Sequence, residues 1–451
     1  MNTRGNIPVS DAPHVTGAAF VYDDGVLKAE DVALTTLAED VGTPFYCYSS
    51  IAMNRQFQTF SAAVNSALSP APLVCFAVKS NSNQAVLETL AAQGAGADVV
   101  SGGELVRALA AGIRPEKIVF SGVGKTEAEM EAALESGINQ INVESVEELV
   151  MLDGVATRLN HRAPVGLRVN PDVDAGTHEK ISTGKAENKF GIDLPHAADV
   201  YARAAEMDGI ELCGLAVHIG SQLTDLAPFR EAFARLAGLV GELRGQGHQV
   251  HRLDLGGGLG ISYDGAAPPD LDGYAAILAD EIAPLECETI FEPGRFVIGN
   301  AGVLVTRIVR IKQGMNRRFV IIDAAMNDLL RPALYDAHHH ILSVIEPAGD
   351  AVLKDVDVVG PVCETGDTFA EARPLAPLET GDLLAICSAG AYGAVMASDY
   401  NTRPPAAEIL VAGGDYAVIR PRLDVKEIIA RDRSPSWLSA SGGSGKGPVK
   451  R

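Results

Sequence analysis

No apolar run in the sequence approaches the about 20 residues that a membrane-crossing helix needs, which argues against a membrane protein. There is no Cys-x-x-Cys pair. The six cysteines, at 47, 75, 213, 287, 363 and 387, lie far apart with no histidine in ligand spacing, so neither zinc ligands nor a disulfide framework is expected. Four of them (47, 75, 213, 387) sit in apolar runs and read as small buried hydrophobes, whereas Cys363 lies between Gly-Pro-Val and Glu-Thr-Gly-Asp and does not. Basic charge is scarce: 37 Lys and Arg face 58 Asp and Glu, a formal charge of −21. That balance argues against a nucleic-acid or anionic-membrane partner and favours solubility. The opening Met-Asn-Thr-Arg-Gly-Asn-Ile-Pro leads into no apolar block with a small-residue cleavage site, so the expected location is the cytoplasm.

What is present is a long chain with a regular rhythm. At 451 residues it exceeds the size at which one core usually stops growing, so two domains are expected. Residues 17–28 read as a hairpin around Asp-Asp-Gly and 44–49 as a further strand. From residue 72 to about 294, short Val/Ile/Leu-rich runs alternate with longer amphipathic segments, the pattern of parallel strands joined by helices. The runs are 73–79, 97–101, 117–121, 140–144, 165–170, 212–220, 251–256 and 289–292. In the sixth connection Phe229, Phe233, Leu236, Val240 and Leu243 share one helical face. Eight such units predict an α/β protein with a closed (β/α)8 TIM-type barrel, whose chemistry gathers at the carboxyl ends of the strands.

Beyond residue 296 the rhythm changes to strands without long helices, at 303–311, 319–323, 355–359, 382–387 and 408–411. This predicts a mostly β domain, completed by the N-terminal strands that have no partner in the barrel. The expected division is therefore 1–45 with the β domain, 46–300 the barrel, 301–432 the β domain proper, and 433–451 a polar, Gly-rich disordered tail. No internal repeat is visible beyond the barrel units.

Polar residues collect at the predicted strand ends: Lys79, Ser101, Asn170, His218 with Ser221, Gly256-Gly257-Gly258, and Glu292 with Arg295. Each has an ordinary reading by itself, as a snorkelling lysine, a satisfied core histidine, a tight turn or a surface ion pair. Together, a lysine, a flat imidazole, a Gly-rich loop and a strand-end carboxylate in one mouth match the needs of a phosphorylated aromatic aldehyde. The Gly loop fails the dinucleotide spacing, since Gly-x-Gly-x-x-Gly would require glycine at Ile261 or Tyr263. It remains a nest of backbone N–H groups suited to a phosphate monoester. Gly445-Lys446 in the tail lacks the Ser/Thr and the strand of a P-loop. His338-His339-His340 resembles a metal tract, but adjacent side chains diverge, so a solvated segment and no metal site are expected.

Six motifs in order carry a specific likeness: Phe-Ala-Val-Lys-Ser-Asn (76–81), His-Ile-Gly-Ser-Gln (218–222), Asp-Leu-Gly-Gly-Gly-Leu-Gly (254–260), Glu-Pro-Gly-Arg (292–295), Gly-Pro-Val-Cys-Glu-Thr-Gly-Asp (360–367) and Gly-Ala-Tyr-Gly (390–393). From about residue 40 to 420 the chain resembles the pyridoxal-phosphate decarboxylases of the alanine-racemase-like fold. The resemblance implies that Lys79 binds pyridoxal 5'-phosphate covalently, its amine made neutral by a lowered pKa. It implies that His218 stacks on the ring, that Glu292 faces the pyridine nitrogen, and that Ser221, Gly256, Gly257, Gly258 and the backbone of Glu292, Pro293, Gly294 and Arg295 hold the phosphate. Arg295, Arg331 and Tyr335 correspond to positions that bind a distal carboxylate, and Glu364 to one that binds a distal ammonium. Tyr392 contacts cofactor and substrate, and Cys363 returns a proton to the substrate carbon. This set implies meso-diaminopimelate as substrate rather than ornithine or arginine. The Cys363 segment implies a homodimer with active sites at the interface. Thr365 stands where such proteins often carry serine, for which only a modest effect on distal-group binding is expected.

Three rival readings remain: an amino-acid racemase of the same fold, a decarboxylase of another diamino acid, and a non-catalytic relative. The Cys363-Glu364 segment and the Arg331/Tyr335 pair speak against the first. The presence of both Lys79 and Cys363 speaks against the last.

Overall fold

Short β-branched runs flanked by amphipathic helices can bury both faces of a strand only in a parallel sheet covered all round. The computed structural model, which describes residues 19–174 and 189–439, closes such a sheet on itself. Its eight parallel strands are Leu73–Ala77, Gly96–Val99, Ile118–Phe120, Gln140–Val143, Ala163–Asn170, Ile210–Ala216, Arg252–Asp254 and Glu288–Phe291, with the last pairing back to the first. The two-residue strand Ile192–Asp193 adds outside the ring, on Ala163–Asn170. All eight expected runs are barrel strands. Several end earlier than expected: the first stops at Ala77 and gives way to a 3-10 turn, Val78–Ser80, so Lys79 lies in that turn rather than in the strand. Helix Ala227–Gly245 buries Phe229, Phe233, Leu236, Val240 and Leu243, the face the spacing indicates. Helix Ser50–Ala67 precedes the first strand, and its Phe60 ring packs on those of Phe291 and Phe296, both 5.8 Å away.

The second sheet is mostly antiparallel, in the order Thr368–Leu375, Lys354–Val359, Arg318–Ile322, Gly302–Gln313, Phe45–Ser49, Ala407–Ala412, Asp415–Arg420, with Leu383–Ile386 also on Gly302–Gln313 and Ile341–Ser343 on Leu383–Ile386. Phe45–Ser49 pairs antiparallel with Gly302–Gln313 and parallel with Ala407–Ala412. A division between residues 45 and 46 thus falls inside one strand of the β sheet, and the barrel portion starts with helix Ser50–Ala67. The hairpin Phe20–Asp23/Val26–Ala29 is not a strand pair of this sheet. With Val32–Ala33 it forms its own three-stranded sheet, tied to the β domain by Leu27 N–H to Val344 O (2.7 Å) and Asp31 N–H to Gly413 O (3.2 Å). Strands Thr368–Leu375 and Asp415–Arg420 escape the sequence pattern because Pro374, Glu371 and Arg373 interrupt one, and the other is an exposed edge. Residues 17–18 of the expected hairpin and 440–451 of the expected tail lie outside the described residues, while Ser436–Ser439 forms a helical turn. Among the described residues no helix is long and apolar enough to cross a membrane.

The three histidines correct an expectation. They are not a solvated segment, although they do diverge: His338 Nδ1 accepts from Arg373 (3.1 Å), while His339, buried, lies between Arg331 and the Cys387 carbonyl. Burial lowers the pKa of His339 well below the ordinary value, and it pushes His340, beside Arg373, down to about 4. An unfolded histidine takes up a proton below about 6.5, whereas folded His340 does so only near 4. Stability from these groups is therefore present above about 6.5 and is lost as pH falls.

The two bodies meet at a close backbone contact. Gly390 approaches so tightly that a Cβ there would lie 1.9 Å from the Ile298 carbonyl oxygen. Gly390→Ala should therefore cost about 2–3 kcal/mol in urea unfolding, whereas Gly349→Ala, with open space around it, should stay within about 0.5 kcal/mol. In thermal unfolding between pH 7 and 5, His340→Asn should flatten the loss of Tm relative to the parent by the share of one histidine, on the order of 1 kcal/mol per pH unit. An unchanged slope would mean that His340 takes up its proton alike in the folded and unfolded chain.

Candidate active site

The carboxyl ends of the barrel strands open into a cavity of about 1260 Å³ between barrel and β domain, lined by residues of both, among them Lys79, His218, Ser221, Tyr263, Arg295, Arg331, Tyr335 and Tyr392. Lys79 is presented by its 3-10 turn, fixed from below by Ala77 N–H to Pro293 O (3.1 Å) and from above by Tyr392 N–H to Ser80 O (2.8 Å). Asn81 adds a hydrogen bond from Nδ2 to Gly390 O (3.1 Å). Tyr392 takes a positive φ of 55° to make its contact.

The Lys79 ammonium is bound to Asp98, a fully buried carboxylate of the second strand. Burial by itself would depress the amine, but Asp98, Glu292 and Tyr392 outweigh it and hold Lys79 above the ordinary lysine value. The acidic groups of the barrel floor, Asp98 foremost, stabilise its charged form. A proton leaving Lys79 Nζ has Asp98 Oδ2 as its first acceptor.

That floor is a network of polar side chains pointing inward from successive strands. Glu292 accepts from Ser121 Oγ (3.2 Å), and Asn142 Nδ2 reaches both Ser121 Oγ (3.0 Å) and Asp254 Oδ2 (2.7 Å). Glu292 and Asp254 are hydrogen-bonded to each other, which requires a proton between them. Burial first, then Asp254 and Asp98, raise Glu292 well above the carboxylate range, so the shared proton resides on Glu292. These groups, with Arg168 and His218, surround a small void inside the barrel.

His218 lies two residues beyond its strand, and its Nδ1 accepts from Gly257 N–H (3.2 Å), which leaves the proton on Nε2. Burial, then Arg168 and Lys79, keep this ring neutral. The Gly loop is glycine by necessity: Gly258 has φ of 105°, and a Cβ on Gly257 would lie 2.2 Å from Glu292 O. A Cβ on Gly294 would likewise be crowded, 3.0 Å from Ala77 and Ser80. Arg295 opens the short helix Arg295–Ile298; it donates to Ser221 Oγ (3.0 Å) and to Tyr263 Oη (2.5 Å) and stacks over the Tyr392 ring at 4.7 Å. Arg331 opens helix Arg331–Tyr335 and lies 4.5 Å over the Tyr263 ring. Among the described residues neither arginine has a carboxylate partner, and the buried Nε of each has no hydrogen-bond partner.

Of the predicted residues, Gly257, Gly258, Glu292, Pro293, Gly294, Cys363 and Glu364 do not line this cavity, Glu292 bordering the small void instead. Cys363 and Glu364 are exposed on the loop 360–367, where Glu364 accepts from Tyr400 Oη (3.1 Å). Asp367 shapes that loop by accepting from Val362 N–H (2.7 Å) and Met326 N–H (2.6 Å), while Thr365 reaches the cavity rim. Ser101 caps the helix Gly102–Ala110 rather than facing the cavity. Sequence reading missed Asp98, Ser121, Asn142, Tyr263 and His339. The signal for the second-strand acid and for Asn142 is a polar residue at an inward position of an otherwise apolar strand. No group of His, Cys, Asp or Glu that could hold a metal ion occurs among the described residues.

The arrangement suits one kind of cofactor: an amine for an aldehyde, a flat neutral imidazole, a close-packed glycine loop with Ser221 and Arg295 for an anion, and a protonated carboxyl pair beneath. The pyridoxal-binding domain of the pyridoxal-dependent decarboxylases matches residues 52–299. Diaminopimelate decarboxylase of Pseudomonas aeruginosa is 52% identical over 412 residues, 91% of this chain and 98% of that protein. The enzyme of that name from Zymomonas mobilis is 48% identical over 421 residues, 93% and 99% of the two chains. The crystal structure of diaminopimelate decarboxylase from Helicobacter pylori complexed with L-lysine superposes with a TM-score of 0.84 at 40% identity, covering 88% of this chain and 98% of that one. With the pyridoxal-binding domain matched over the barrel and relatives matched almost end to end, the chain belongs to the diaminopimelate decarboxylases, a family of pyridoxal-dependent decarboxylases.

Proposed function

We propose that the chain decarboxylates meso-2,6-diaminopimelate to L-lysine and carbon dioxide, the last step of lysine biosynthesis, with pyridoxal 5'-phosphate held at Lys79. The observation that carries the choice of substrate is the pair of buried arginines, Arg295 and Arg331, without carboxylate partners among the described residues and each with an unmatched Nε. Buried guanidinium groups in this condition ask for a carboxylate ligand, which their planar forks grip by two hydrogen bonds. A diamine substrate head without a carboxylate would leave them unmatched, which disfavours ornithine- and arginine-type decarboxylation.

When bound, pyridoxal phosphate supplies an electron sink for the pair left on the substrate carbon as carbon dioxide departs. The residues supply the rest. Lys79 provides the amine that anchors the aldehyde, after yielding its proton toward Asp98. Glu292, which holds the proton shared with Asp254, would be the acid able to hold a proton at the ring nitrogen of such a cofactor. His218 offers its neutral ring face. Ser221, the Gly256 to Gly258 loop and the Glu292 to Arg295 backbone suit the phosphate. Arg331, Arg295 and Tyr335 orient the distal carboxylate, with Tyr392 against both ligands.

Cys363 returns a proton to the carbon and Glu364 receives the distal ammonium. Both are exposed and outside the cavity of their own chain, which supports a homodimer in which each chain completes the other's site. The six free cysteines, five of them buried, fit a reducing compartment, and we place the chain in the cytoplasm.

Borohydride reduction of the pyridoxal-loaded protein should label Lys79, and carbon dioxide release from meso-diaminopimelate should exceed that from ornithine, arginine or lysine. Label at another lysine sinks the cofactor assignment, and faster release from ornithine or arginine sinks the substrate. Cys363→Ala should slow turnover at least about 100-fold with the cofactor spectrum kept. Mixing inactive Lys79→Ala and Cys363→Ala proteins should restore about a quarter of parental activity, since half of randomly formed dimers carry one intact site; no recovery would refute the shared site.

A further inference from the structure

We infer that His339, a residue of the β domain outside the cavity lining, is a positioning residue that holds the Arg331 guanidinium as a neutral hydrogen-bond acceptor and so keeps it free to bind the distal carboxylate. The inference rests on the reading that Arg331 binds that carboxylate.

The geometry allows one proton arrangement. His339 Nδ1 lies 2.8 Å from the Cys387 carbonyl oxygen, which can only accept, so Nδ1 carries the hydrogen. Nε2 then presents a lone pair, and it lies 2.8 Å from Arg331 Nη1, which can only donate. The ring is buried, and its backbone carbonyl is held in turn by Arg373 Nη1 (2.9 Å). Tyr263 closes the cluster: it packs edge-on to His339 with centroids 5.3 Å apart, lies face-on beneath Arg331, and accepts from Arg295. Arg331 is thereby fixed on two sides, with its buried Nε still unmatched.

The choice of an imidazole has a physical consequence. A buried carboxylate would orient Arg331 equally well, but it would neutralise the guanidinium and compete with an incoming carboxylate for the same donors. A neutral acceptor supplies direction without charge. Arg331 therefore stays a cation with no carboxylate paired to it among the described residues. The titratable groups facing His339 are Arg331, His338 and Arg295, which together with burial oppose protonation of the ring, while Arg373 holds its backbone carbonyl.

The test compares two ligands that differ in the carboxylate alone. Inhibition constants for L-lysine and for 1,5-diaminopentane are measured on the pyridoxal-loaded enzyme, with KM and kcat for meso-diaminopimelate. His339→Asn keeps an amide donor near the Cys387 carbonyl but places no acceptor at Nε2; His339→Gln places an oxygen there. In the Asn variant KM and the L-lysine constant should rise about 10-fold, with kcat and the diaminopentane constant within about 2-fold and the cofactor spectrum unchanged. In the Gln variant most of that loss should be recovered. If the Asn variant weakens both ligands alike, or loses the cofactor spectrum, His339 is structural and the inference fails. Arg331→Met provides the separate control. Should it lose L-lysine selectively while both His339 variants behave as the parent, the inference falls and the role of Arg331 stands. Should it leave L-lysine binding intact, the role of Arg331 itself is wrong.

Discussion

The hydrogen bond from the Tyr392 amide to the Ser80 carbonyl, 2.8 Å long, is the join on which the site depends. It fastens a loop of the β domain to the single 3-10 turn that carries Lys79, and the Asn81 side chain repeats the connection one residue later on Gly390. Barrel and β domain share one continuous hydrophobic core, and this contact lies where both border the cavity. Because this contact sets their distance, the lysine from the barrel and the arginine from the β domain open onto one space. The left-handed backbone of Tyr392 and the bare Cα of Gly390 are consequences of that closeness.

Charge in the site is sorted by depth. Carboxyl groups fill the barrel floor, where Asp98, Asp254 and Glu292 are all buried, and arginines from both domains line the wall above. Burying like charges together is expensive unless protons or cations intervene. Here the Glu292 proton and the Lys79 ammonium relieve the floor, and the wall is relieved by aromatic faces and a neutral histidine rather than by anions. The result is a pocket whose floor is relieved from within, while the two arginines on its wall keep donors that no carboxylate of the described residues answers.

Much of this was legible in the residues. The eight apolar runs, the lysine after the first and the Glu-Pro-Gly-Arg after the last placed a barrel mouth correctly, since alternation of strand and helix leaves parallel pairing as the way to bury both strand faces. Asp98, Asn142 and Tyr263 were not legible as site residues, because their importance lies in what they face across the barrel. The surroundings of Lys79 were illegible for the same reason: burial was foreseeable, whereas Asp98 and Glu292 reach it from separate strands. The histidine run shows the converse. Adjacent side chains do diverge, as expected, but into a domain interior, His339 toward Arg331 and His338 toward Arg373.

By itself the sequence determined the barrel, the place of Lys79 just beyond its first strand and the glycine loop, because each rests on local periodicity or on a backbone conformation that glycine alone tolerates. The tertiary structure decided which side chains meet. It left Cys363 and Glu364 outside their own cavity, drew Arg331 and Arg295 around Tyr263, and set a neutral imidazole behind a cation. Those outcomes depend on distances between residues remote in the chain, and such distances are fixed by packing two domains against each other, which no local pattern encodes.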